Sequence, residues 1–277
     1  MTEAELQEEI GRLQPFPVSL MRLTDIILSS HYSVDDVFHV VQHDPTLTLD
    51  VLAYANSAES AAARSITSVQ EAIIRLGGPR IMRILVAKWF HGTMNATLKA
   101  EADSTRYWLR GTSAALAADV LQEQGAVPQQ PAAFTTALLR DVGLLPLYSY
   151  ACAHHSVWLT SKKDEEQEVE TFGFTHGEVS AKILAQWKFP LEMVQAVATY
   201  SQATGGPSPL TDTLRLAELV CTRITTPGWT LTPAKSDLLS RNEISAAQWE
   251  NLIQHTHAKV ARVSQEFSIS LPPFSQE

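Results

Sequence analysis

The chain has 277 residues, 45% apolar and 18% charged, which is enough to bury a core and too apolar for a disordered chain. Its net charge of −9 at neutral pH argues against a surface built to hold nucleic-acid phosphates, so no nucleic-acid partner is expected. No apolar run approaches the ~18 residues of a membrane span, Met1-Thr-Glu-Ala-Glu5 has no apolar h-region, and Cys152 and Cys221 lack C-x-x-C spacing. A cytoplasmic protein with reduced, buried thiols and no membrane contact is expected.

In chain order, nearly every segment has a helical period. Pro15 and Pro17 precede a helix over 18–30 with Leu20, Leu23 and Ile27 on one face. Ser33-Val-Asp-Asp36 opens the next helix as a capping box. Asp44-Pro45 is an N-cap followed by proline at the first helical position, and this third helix carries Leu47, Leu49, Val51, Leu52 and Tyr54 before Asn56-Ser57 stops it. Ser68-Val-Gln-Glu71 caps a fourth helix that closes at Leu76-Gly77-Gly78, and Pro79 opens a fifth through Ile81, Leu85 and Trp89. Five short helices thus fill residues 1 to about 95.

The second half starts near Asp103 with a helix through Trp108 to Gln124, closed by Gly125. Helices follow over 131–142, 144–158, 176–188, 190–201 and 210–224, and a final one runs from Ser245 to about Phe267. The charge-rich run 161–170 reads as a solvated helix face or loop, and 204–209 as the strongest loop. Strand-like alternation is nowhere sustained. The expected fold is all-α, with an N-terminal helical subdomain (1–95) packed on a second helical bundle (96–277).

Several motifs together resemble a known family. They are Leu13-Gln-Pro-Phe-Pro17, His43-Asp44-Pro45, Ala55-Asn56-Ser57-Ala58, Ile66-Thr-Ser-Val69 with Leu76-Gly77, Tyr107-Trp108, Arg140-Asp141-Val-Gly143, Phe172-Gly-Phe-Thr-His176 and Gln186-Trp187-Lys-Phe-Pro190. In this order, over about residues 10–205, they are similar to the HDOD domain of bacterial signalling proteins. That resemblance implies an HD-domain-like helical bundle, related in fold to HD-GYP phosphodiesterases but without their complete ligand set. It also implies work in bacterial signal transduction through binding partners. Structural roles in the family motifs would fall to Asp44, Pro45, Asn56, Ser57, Gly77, Trp108, Gly143 and Trp187, with residues 210–277 as a helical extension.

The resemblance also locates a degenerate HD site. The first metal-binding His falls near Arg110, the His-Asp pair becomes Arg140-Asp141, and His176 stands where HD-GYP proteins place a further His. Two adjacent histidines correspond to Thr199-Tyr200-Ser201, and the last carboxylate to Glu218; Gly205-Gly206-Pro207 echoes the Gly-Tyr-Pro loop only by coincidence. A guanidinium stays protonated and has no lone pair for a metal. A dinuclear site needs about five or six neutral or anionic ligands, and Asp141, His176 and Glu218 supply three. Arginines in the place of lost metals, paired with Asp141 and Glu218, are therefore expected, with no metal, no cofactor and no catalysis. His176 reads best as a capping or buried structural residue.

Other candidates are weaker. His39 and His43 have i, i+4 metal spacing but lie off the apolar stripe with no general base between them. His154-His155 points two ways, His255 and His257 flank the last helix and are expected to be exposed, and the six tryptophans read as packing. The favoured function is a non-catalytic module that binds a signalling protein or small effector. The alternatives are a divergent metal-dependent phosphohydrolase, and a nucleotide or second-messenger sensor in which Arg110 and Arg140 meet phosphates.

Overall fold

A computed structural model describes residues 1–29, 31–57, 65–98, 101–154, 165–201, 208–226 and 228–266. The described residues are predominantly helical and no strand occurs among them, as expected from the sequence. Two compact units divide it: Pro15–Gly92, and Met1–Gln14 together with Thr93–Glu277.

The unit Pro15–Gly92 holds α2 (Val18–Leu28), α3 (Val34–Gln42), α4 (Pro45–Ala55), α5 (Val69–Leu76) and most of α6 (Gly78–Thr97). Apolar residues at helical spacing close its core: Leu20, Leu23 and Ile27 of α2, Val37 and Val41 of α3, Leu47, Val51 and Ala55 of α4. α3 packs on α2, α4 and α5. Gly77 ends α5 at φ 77°, a conformation that a side chain would strain. Leu49 is 67% exposed, because the buried face of α4 runs through Leu47, Val51 and Ala55.

The other unit contains α1 (Glu3–Gly11), α7 (Glu101–Glu123), α8 (Ala133–Leu139), α9 (Leu144–His154), α10 (Glu165–Phe172), α11 (His176–Gln186), α12 (Leu191–Thr199), α13 (Pro209–Thr225), α14 (Pro233–Arg241) and α15 (Ala246–Glu266). α7 is its centre and meets α8, α13 and α15. Small residues at Ala114, Ala115, Ala117 and Ala118, all fully buried, let these neighbours approach closely. α11 packs on α12 and α9, and α12 on α13.

Two helices go beyond the sequence reading. α1 begins with a capping box between Thr2 and Glu5 and buries Leu6 and Ile10. Its place is beside α9, so the first fourteen residues belong with the second half rather than with the expected 1–95 bundle. α14 starts at Pro233, between the helices expected over 210–224 and from Ser245. Cys221 is buried, whereas Cys152 is exposed, against the expectation for both thiols. His255 is exposed as expected and His257 is half-buried. Ala58, His155, Trp158, Gly205-Gly206-Pro207, Phe267 and the first part of the 161–170 run lie outside the described residues.

Candidate functional site

Close approach of two turns creates the site. Gly143 follows α8, and a Cβ added there would lie 2.4 Å from the His176 carbonyl oxygen and 2.5 Å from the Ser180 nitrogen. The Gly143 N–H donates to Ser180 Oγ at 2.8 Å. The absence of a side chain thus lets the turn after α8 rest on the first turn of α11. Thr175 caps α11 in a reciprocal capping box with Glu178, which puts His176 at the first helical position. Asp141 is thereby brought to His176.

Five residues singled out from the sequence converge here. Arg110 Nε donates to Asp141 Oδ2 at 2.6 Å and its Nη2 lies 3.0 Å from Glu218 Oε1. Arg140 Nη2 lies 3.1 Å from Asp141 Oδ2 and 2.5 Å from Glu218 Oε2, and Arg140 Nε reaches the same Glu218 oxygen at 3.2 Å. Arg140 Nη1 donates to the Ala137 carbonyl at 2.9 Å. His176 Nε2 stands 3.4 Å from Asp141 Oδ1. Arg140 and Asp141 are buried, while Arg110 at 35% and Glu218 at 22% side-chain exposure form the open edge.

Three further residues complete the network. Glu168 of α10 is buried; its Oε2 accepts the His176 backbone N–H at 2.7 Å and faces His176 Nδ1 at 2.8 Å. Tyr200, the C-cap of α12, donates its hydroxyl to Asp141 Oδ1 at 3.0 Å and meets His176 Nε2 at 2.9 Å. The Tyr107 hydroxyl donates to the Asp141 carbonyl. In sequence Glu168 is indistinguishable from the acidic residues around it. Tyr200 carried a signal, since it fills one of the places of the missing histidines.

The charges balance. With His176 protonated, Arg110, Arg140 and His176 face Asp141, Glu168 and Glu218, three cations to three anions. Burial alone would lower the His176 pKa, but hydrogen bonds to Asp141 and Glu168 outweigh it and bring it up to about 9. Burial likewise opposes ionisation of Asp141, yet the Arg110 and Arg140 guanidiniums hold its carboxyl well below the usual range. Glu218 is lowered against burial by the same two arginines. The Tyr200 hydroxyl is pushed up by burial and then by Asp141. Burial, with Glu218 beside it, raises the Cys221 thiol to about 11, and this thiol donates to the Arg110 carbonyl at 3.3 Å.

This donor set does not fit a dinuclear metal centre. Both oxygens of Asp141 and both of Glu218 already receive a guanidinium or hydroxyl donor, and both His176 nitrogens are engaged. Among the described residues, no group of three or more His, Cys, Asp and Glu side chains could hold a metal ion. His39 and His43 are exposed; His43 Nδ1 bonds to the His39 carbonyl at 2.6 Å rather than converging with His39 on one point.

The HDOD domain model matches residues 13–203. The chain belongs to the HDOD family. Three solved structures share its fold. An HDOD domain protein of unknown function from Geobacter sulfurreducens is 16% identical, with 96% of this chain and 94% of that one aligned at a TM-score of 0.63. A Shewanella amazonensis SB2B protein described as a "Putative phosphohydrolase" is 21% identical, covering 94% and 97% at 0.64. A Marinobacter aquaeolei VT8 protein described as a "Putative signal transduction protein" is 19% identical, covering 96% of this chain and 65% of that one at 0.72. No curated protein matches the chain.

The remaining HDOD motif residues take up backbone positions. Asp44 caps α4 by accepting from the Thr46 and Leu47 N–H groups at 3.0 and 3.2 Å, and Ser19 Oγ donates to it at 2.6 Å, with Pro45 next in the first turn. The Ser19 bond, ahead of the two backbone bonds and against burial, lowers the Asp44 pKa. Asn56 pairs with both backbone groups of Ile66, its Nδ2 donating to the carbonyl at 2.8 Å and its Oδ1 accepting the N–H at 2.7 Å. Ser57 follows it, its N–H closing on the Tyr54 carbonyl at 3.0 Å. Trp108 is buried in α7, and Trp187 is the half-buried C-cap of α11.

Proposed function

We propose that this HDOD chain is a non-catalytic bacterial signalling module that acts by binding a protein or a small effector. Its family membership and its likeness in fold to a protein described as a "Putative signal transduction protein" support a signalling-related, HD-like domain. One observation carries the finer reading: Arg140, wholly buried at the HD-motif His position, bridges Asp141 and Glu218. A metal would have to displace a permanent cation from both carboxylates, and that cation has no exposed surface. A phosphate ligand would reach only the partly exposed Arg110, since Arg140 is enclosed, which weakens the nucleotide-sensor alternative.

Metal analysis of purified protein tests this reading. Iron, manganese and zinc are expected far below one equivalent, before and after incubation with each metal. Stoichiometric metal that is lost in Asp141→Ala would favour the hydrolase alternative. Capture of partners from the native host, compared with an Arg140→Ala control, then identifies what the module binds.

A further inference from the structure

A second polar feature lies away from the Arg140 cluster, in the same unit. Residues of α1, the end of α6 and α9 line a half-open cavity of about 380 Å3. Glu9 stands in its wall with a side chain only 6% exposed. One carboxylate oxygen, Oε1, meets the Arg12 guanidinium, while Oε2 is buried and has no hydrogen-bond partner among the described residues. Arg12 is 58% exposed and divides its guanidinium between Glu8 and Glu9. A carboxylate oxygen left without a donor disfavours the fold unless something supplies one. The terminal torsion of a glutamate is soft, so either oxygen can turn to a ligand.

The rest of the wall narrows the chemistry. Leu13 and Ala96 give an apolar surface, and Thr97 and Ser149 also line the cavity. Thr97 already donates to the Thr93 carbonyl at 2.9 Å, so it is left to accept. Glu5, Glu8 and Glu9 against Arg12 make this end of α1 acidic, which disfavours phosphates and carboxylates. The volume is at the small end for ligand sites, which run from about 300 Å3 upward. We propose that the cavity binds a small molecule carrying a protonated primary amine on a short aliphatic stem, with Glu9 as counter-ion. This deepens the effector-binding reading and rests on it only for its biological meaning.

Calorimetric titration of the full chain with 1,4-diaminobutane tests the site, with 1,4-butanediol as the neutral control. Saturable binding is expected for the diamine and none for the diol. Glu9→Gln should weaken the diamine on the order of tenfold or more, as loss of a charge-assisted bond does. Ala96→Trp, at an exposed α6 position, should block the cavity while leaving Glu9 in place, which covers the case in which Glu9→Gln perturbs folding. Thermal unfolding of both variants reports that. Absence of saturable diamine binding, equal binding of the diol, or wild-type binding by a folded Ala96→Trp protein would each overturn the proposal. Such a failure leaves the non-catalytic reading standing, since that reading turns on metal and turnover at Asp141.

Discussion

Arg140 and Glu218 are joined through two guanidinium nitrogens, at 2.5 and 3.2 Å, to a single carboxylate oxygen, and the arginine has no exposed surface. Such a pair ties the turn after α8 to α13 and leaves both groups dependent on each other. Arg140→Ala should therefore cost about 3–5 kcal/mol, because Asp141 and Glu218 lose a buried counter-charge together. Denaturant unfolding measures this. A loss below about 1 kcal/mol, within the range of exposed pairs, would mean that the cluster is not integral to the fold. Arg140→His alone should not create activity, since the Thr199–Ser201 segment still offers no histidine.

His176 sets a pH dependence whose sign follows from its raised pKa. An unfolded histidine titrates near 6.5, while in the fold the value is about 9. The protonated form is favoured in the native state, so its contribution is fully present below pH ~6.5 and lost as pH rises through about 9. The difference corresponds to about 3 kcal/mol. Unfolding free energies at pH 6 and pH 10 should show that decline in the native protein and not in His176→Gln. Equal declines in both would remove His176 as the source. Asp141 acts in the opposite direction, its stabilisation being lost as pH falls below the ordinary carboxylate range.

The five charged positions of this cluster were legible in the sequence through the family resemblance, which sets each of them at a ligand place of the HD site. Glu168 was not, since a buried acid within Glu165-Glu-Gln-Glu168-Val-Glu170 looks like its solvated neighbours until the fold shows which one meets His176. The same limit applies to α1. Its Thr2 and Glu5 carried a capping signal, but only packing beside α9 assigns its residues to the second unit rather than the first. Leu49 marks a related limit, since an apolar residue inside a helix can lie off its buried face.

Asn56→Ala should lower the melting temperature. Its side chain pairs with both backbone groups of Ile66 and also donates to the Leu52 carbonyl at 2.8 Å, tying the end of α4 to the strandless segment before α5. Because Asn56 is exposed, water replaces part of what is lost, and about 1–2 kcal/mol is expected. Unchanged stability with lost partner binding would instead make it a recognition residue.

Gly143→Ala should be more damaging than its size suggests. The new methyl would meet backbone atoms of His176 and Ser180 at 2.4 and 2.5 Å, where no flexible side chain can yield. Separation of the α8 turn from α11 would also pull Asp141 from His176. A loss of about 3 kcal/mol or more is expected, in the range of severe overpacking. A variant as stable as the native protein would show that the two turns are not held in this contact.

Turnover is the most direct test of a charge-filled, non-catalytic site. Purified protein, freed of contaminating hydrolase, is assayed on cyclic dinucleotides and simple phosphate esters with and without added manganese. No turnover is expected under either condition, because Arg110 and Arg140 hold the Asp141 and Glu218 oxygens that a metal would need. Metal-dependent turnover that disappears in Asp141→Ala or His176→Ala would contradict it.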